Sequence, residues 1–190
     1  MTILIAGLVV FLGMHSIAIV APALRNALAA RLGEWPWKGL YSLVAVAGFV
    51  LVVEGFGAAR GAPVVLYAPP GWLRGVAVVL MVPVFPMLLA AYLPGRIQAT
   101  LRHPLLVATK TWALAHLLAT GRLADVVLFG AFLAWAVADR ISLGRRPPAA
   151  VRTLPPGRYN DWIAVLGGLG LYAAFLLGLH QRLIGIAPLG

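Results

Sequence analysis

The sequence predicts an all-α polytopic membrane protein, a bundle of about six transmembrane helices in a single domain covering residues 1–190. Three observations carry this. Hydrophobic residues make up 62% of the chain and charged residues only 11%, far from the balance of a soluble domain. Several apolar runs approach the ~20 residues that span a bilayer as a helix. The 15 Lys and Arg sit mostly between those runs, where cytoplasmic loops and lipid headgroups need them. A net charge of +10 in a soluble protein would suggest nucleic acid; here it reads as a membrane-surface charge, and no nucleic-acid partner is expected. The absence of cysteine excludes disulfides, iron–sulfur clusters, thiolate haem ligation and cysteine catalysis.

The first span is expected at residues 3–24. Ala21, Pro22 and Ala23 imitate a cleavage site, but no Lys or Arg precedes the apolar run, which favours a retained helix over a signal peptide. A short basic loop with Arg25, Arg31 and Lys38 should follow, then a second span at 39–57 with Glu54 near its end. Residues 60–70 read as a proline-containing loop. The third span, 72–93, should be kinked, because Pro83 and Pro86 each remove a backbone donor. A loop with Arg96 and Arg102 leads to a hairpin: a short fourth span from Pro104, broken at Thr120 and Gly121, and a fifth at 123–138. The longest loop, 140–160, is rich in Pro and Arg. The sixth span, 162–179, carries Gly170, Ala174 and Gly178 every fourth residue, a stripe on which another helix can pack closely. Asp161 is placed to cap that span. Glu54 and Asp125 fall toward the outer side, where contact with water suffices for them.

Basic residues set the orientation. The odd-numbered loops hold ten Lys and Arg, and the even-numbered loops with the C-terminal end hold four. This places the odd loops in the cytoplasm and both termini outside.

Ionisable groups at membrane depth are costly and mark candidate sites. The histidines are His15, His103, His116 and His180. No HExxH or similarly close pair occurs, so a zinc hydrolase centre is unsupported. A site assembled from separate helices remains, as in haem-binding bundles. His103 and His116, 13 residues apart, are separated by about 20 Å along one helix and cannot share an iron. His15 lies well inside the first span with Phe11, Ala18 and Ile19 on its face; His116 shares a face with Trp112, Ala113 and Ala119. An aromatic beside small residues suits a flat macrocycle. Ordinary helix packing explains the same residues, and both readings stand at this point. Lys110 could pair with Asp139 across the hairpin and fix its register; alternatively Lys110 or Arg102 could contact haem propionates. No residue is singled out as catalytic.

The segment RHPLLVATKTWALAHLLATGRLADVVLFGAFLAWAVADRISLGRR, with GMHS around His15 and HQRLIGIAP from His180, closely resembles the NnrU family of bacterial membrane proteins. The resemblance implies a place in the inner (cytoplasmic) membrane and an association with nitrite and nitric oxide reductases of denitrification, as an accessory factor in assembly, haem handling or gas sensing. The same superfamily contains the haem-containing zeta-carotene isomerase. Similarity to that enzyme implies haem b held by His15 and His116; with such a haem, the residues read above make Trp112, Lys110 and Arg102 the further candidate cofactor contacts. It also implies a lipophilic polyene as substrate of a cis–trans isomerisation. That relative carries a cysteine three residues before the second ligand, where this chain has Ala113; no thiol is available here to exchange onto the iron.

Overall fold

The computed structural model describes residues 1–145 and 153–189. The described residues are mostly helical, and the chain clusters into two compact units. Unit 1 contains residues 1–68 and 120–146; unit 2 contains 69–119 and 147–190. The turn at Thr120 is where the chain leaves one unit for the other, so the expected hairpin contributes one arm to each. Lys110 accordingly belongs to unit 2 and Asp139 to unit 1.

Unit 1 is built on α1 (Thr2–Val20), α2 (Pro22–Leu32), α3 (Glu34–Arg60) and α8 (Leu123–Leu143). The residues expected to form the first basic loop are instead largely helical. The run is rich in Ala, Leu and Arg, all good helix formers. Pro22 occupies its first turn, and Gly33 at φ 87° ends it. Helices α1 and α3 pack backbone to backbone. A Cβ on Gly55 would lie 2.3 Å from the Leu4 nitrogen, one on Gly48 2.7 Å from that of Phe11, and one on Gly7 2.5 Å from that of Val52. After α3 the chain forms a short antiparallel bridge between Val65 and Arg122. Leu123 N–H donates to the Val64 carbonyl, and the Tyr67 hydroxyl to that of Thr120. Asp125, expected to face water, is 7% exposed and accepts a 2.6 Å hydrogen bond from Thr120 Oγ1. The turn before α8 buries it, and the hydroxyl meets its need for a donor. Glu54 is exposed.

Unit 2 contains α4 (Trp72–Met81), α5 (Val84–Ala90), α6 (Arg96–Leu101), α7 (Pro104–Ala119), α9 (Asn160–Ala174), a π-helical segment (Phe175–Leu179) and α10 (His180–Ile184). The third span breaks between α4 and α5 at Val82 and Pro83, as its prolines require. Val84, Met87 and Ala108 form one buried cluster, and Ala90, Leu93 and Ala164 another. Gly168 meets the Pro86 backbone, 2.3 Å from where its Cβ would be. The expected stripe of Gly170, Ala174 and Gly178 is not that contact: nothing described lies within 4 Å of a Cβ at Gly170 or Gly178. The face of α9 that packs carries Ala164 and Gly168.

Among the described residues five helices are long and apolar enough to cross a membrane, counting α4–α5 and α9 through α10 as one each; α7, with 16 residues, is a shorter apolar helix. The chain is therefore a multi-pass, all-α membrane protein.

Asp161 lies in the first turn of α9, yet its carboxylate caps a different helix. It accepts the backbone N–H of Arg96 at 2.8 Å and of Ile97 at 3.1 Å, both at the start of α6. A carboxylate there satisfies two orphan donors and complements the helix dipole. Asp161→Ala should lower stability by about 1–2 kcal/mol and speed amide exchange at Arg96 and Ile97, while Asp161→Asn recovers part of the loss.

Helix α6 ends in an unusual turn. Arg102 has φ 60° and ψ −41°, and His103 N–H donates to the Leu101 carbonyl at 2.7 Å. This is a γ-turn of the rare, strained hand, which costs a non-glycine residue about 1–3 kcal/mol. Pro104 then starts α7, and the His103 carbonyl accepts the N–H groups of Leu106 and Val107.

Candidate histidine sites

His15 and His116 are built alike from a short local pattern, an aromatic residue four positions before a histidine. In an α-helix those residues lie one above the other. His15 Nδ1 lies 2.7 Å from the Phe11 carbonyl, with the two rings 4.4 Å apart. His116 Nδ1 lies 2.8 Å from the Trp112 carbonyl, with those rings 5.4 Å apart. A carbonyl only accepts, so each Nδ1 carries the proton and donates. In the neutral ring this hydrogen bond selects the tautomer whose Nε2 has the lone pair, which is how a metal-ligating histidine is oriented.

In unit 1, His15 sits in an aromatic nest. The Tyr41 ring of α3 is 5.5 Å away, and the Trp135 ring of α8 stands edge-on at 6.0 Å. Phe11 in turn contacts Phe49 and Phe132. Trp135 Nε1 is buried without a hydrogen-bond partner among the described residues. A buried unsatisfied indole N–H costs about 1–3 kcal/mol and suits an acceptor supplied by a bound group.

In unit 2, Trp112 packs on the Val84, Met87 and Ala108 cluster, and Ala113 is fully buried. Lys110 is half-buried on α7, about 9 Å from His116 along the axis. Arg102 stands at the opposite end of that helix, about 21 Å away by the same measure, which leaves Lys110 the better placed of the two cations for a group held at His116. His180 is the histidine that unit 2 brings to His116: their rings are 6.4 Å apart and inclined by 24°. Its Nδ1 also bonds a carbonyl, that of Ile186 at 2.7 Å, reached because Gly185 at φ 81° turns the chain back. His103 is half-buried at the start of α7.

Among the described residues no three His, Asp or Glu side chains gather as a metal cage. Two side-chain ligands suffice for a macrocycle, and each unit by itself supplies one locked imidazole beside an aromatic ring, with the unsatisfied indole next to that of unit 1.

Sequence reasoning singled out His15, His116, Trp112, Lys110 and Arg102 but missed Tyr41, Trp135 and the approach of His180. The aromatic-x-x-x-histidine spacing was readable in both spans. Which aromatics of α3 and α8 surround His15 depends on tertiary packing.

Comparison with known proteins adds one decisive finding. The family model described as NnrU protein matches residues 3–188. This chain belongs to the NnrU family. Among curated proteins and among solved structures, nothing matches. All the candidate residues of this NnrU chain lie inside the matched region.

Proposed function

We propose that this NnrU protein binds haem b in the bacterial inner membrane, with His15 and His116 as axial ligands. The observation that carries the reading is the shared arrangement of these two histidines, each with Nδ1 held by the carbonyl of an aromatic residue four positions earlier. Trp112 flanks the ring of His116, the Trp135 N–H would donate to an acceptor of the bound group, and Lys110 would meet a propionate. Haem, when bound, supplies a redox-tunable Lewis acid. The chain's part is to fix two neutral imidazoles, exclude water with aromatic walls and withhold a thiolate, since Ala113 carries none. The resemblance to the zeta-carotene isomerase is what points to a lipophilic polyene, undergoing cis–trans isomerisation, as the substrate class. The visible spectrum of purified protein tests the cofactor: a Soret band supports it, and colourless protein after growth with excess haem rejects it. Isomerisation of a polyene by the reduced protein then separates an enzyme from an accessory factor for nitrite or nitric oxide reductase.

A second ligand arrangement is favoured by the 6.4 Å approach of His180 to His116. Two imidazoles bound across one metal, each nitrogen ~2 Å from it, have ring centres roughly 6 Å apart. In that case His180, in place of His15, would hold the group together with His116.

Both termini lie outside in this reading. The chain lacks cysteine, so single-cysteine variants report cleanly. Arg31→Cys and Arg96→Cys should resist an impermeant maleimide in intact cells, and Arg60→Cys should react. The reverse pattern overturns the orientation.

A further inference from the structure

We propose that the strained turn at Arg102 serves a phosphate-binding site, and that its occupant is a phospholipid headgroup. Beside this turn lies an open cleft of about 610 Å³ lined by Pro94, Gly95, Gln98, Ala99, Arg102 and Pro156. Arg102 is the charged residue of this lining, and the guanidinium fork matches two phosphate oxygens. The backbone supplies the argument for arginine in particular. Glycine adopts φ 60° without penalty, so the turn alone has no use for a long cationic side chain. Strain retained under a functional group is characteristic of ligand-holding positions.

The neighbouring groups narrow the site. Asp161 already takes the N–H groups that begin α6, so the helix start is occupied and the anion is left to Arg102 at its other end. Gln98 is tied to the Ala91 carbonyl through Nε2. The place of the cleft in the chain points to the source of the phosphate. Within unit 2 it adjoins the end of α5, the start of α7 and the start of α9, the ends of three apolar helices. Tyr92, Tyr159 and Trp162 are exposed at this end, as interfacial aromatics are, and Arg96 and Arg158 add positive charge that draws anionic lipid. This assignment is independent of the haem reading.

The test uses the full chain in nanodiscs of phosphatidylcholine doped with phosphatidylglycerol, with retained lipid counted by native mass spectrometry. Arg102→Gly should melt at a higher temperature than the parent, because the strain is relieved, yet hold phosphatidylglycerol about tenfold more weakly, the size of one charge-assisted hydrogen bond. Arg102→Lys should recover part of the affinity and none of the thermal gain. Millimolar inorganic phosphate should leave the lipid in place; displacement by it would transfer the site to free phosphate and overturn the lipid assignment. Equal retention by the parent and Arg102→Gly overturns the proposal altogether.

Discussion

His116→Ala should abolish the six-coordinate spectrum of the haem-loaded protein, leaving colourless protein or a five-coordinate species. The loss should exceed the ~10–100-fold in affinity that removing only a hydrogen-bond partner of a metal ligand costs, because here the ligand itself is gone. His116 is common to both ligand arrangements, which makes it the most sensitive position in the chain. His15→Ala and His180→Ala then divide the two. If His15 is the second ligand, its alanine variant loses the low-spin spectrum and the His180 variant keeps it; if His180 faces the iron, the outcomes exchange. His103→Ala should retain the parent spectrum either way, since about 20 Å of helix separates it from His116. A parent-like spectrum in His116→Ala would remove the basis for either arrangement.

The second large effect is expected at Gly55. A side chain there meets the backbone of Leu4 and Ile3, with the nearest atom 2.3 Å from its Cβ; neither can turn aside as a flexible side chain would. Gly55→Leu should force α1 from α3 and destabilise unit 1 by about 1–3 kcal/mol or more. Gly57, one half-turn on, has nothing described within 4 Å of its Cβ. Gly57→Ala should therefore stabilise the same helix by up to ~1 kcal/mol, the propensity difference between the two residues. Thermal unfolding of both variants in detergent checks the opposite signs. Equal shifts would mean that close packing of α1 on α3 does not limit stability.

These glycines also show where the sequence could be read and where it could not. Gly48 and Gly55 pack against α1, whereas nothing described lies within 4 Å of a Cβ at Gly170 or Gly178. Spacing alone does not separate the cases, because small residues mark a packing face only when a particular partner helix covers them. The spans, the proline break after α4 and the short α7 were legible because length, hydropathy and missing N–H groups are properties of the local chain. The position of α2 was not, since a helix of mixed composition with no buried residue lacks the apolar stripe by which helices are recognised. Asp161 looked like the cap of its own helix and is the cap of another, 65 residues away in the chain; carboxylate chemistry was readable, but its recipient was not. In the site, the two aromatic–histidine pairs follow from helical spacing, while Trp135 beside His15 and His180 beside His116 depend on how separate helices approach.

The π-helical segment Phe175–Leu179, with its non-helical Gly178, immediately precedes His180. A π turn closes five residues apart rather than four, so it absorbs one residue beyond the α-helical count. Sequence length within this segment thus acts as a phase control. Drawing these same residues into the 3.6-residue repeat without a deletion would advance everything downstream by about 100° around the axis, carrying the His180 ring away from His116 although no residue at either histidine had changed. An alignment that scored only the identity of that histidine would count such a chain as equivalent, while its imidazole pointed elsewhere.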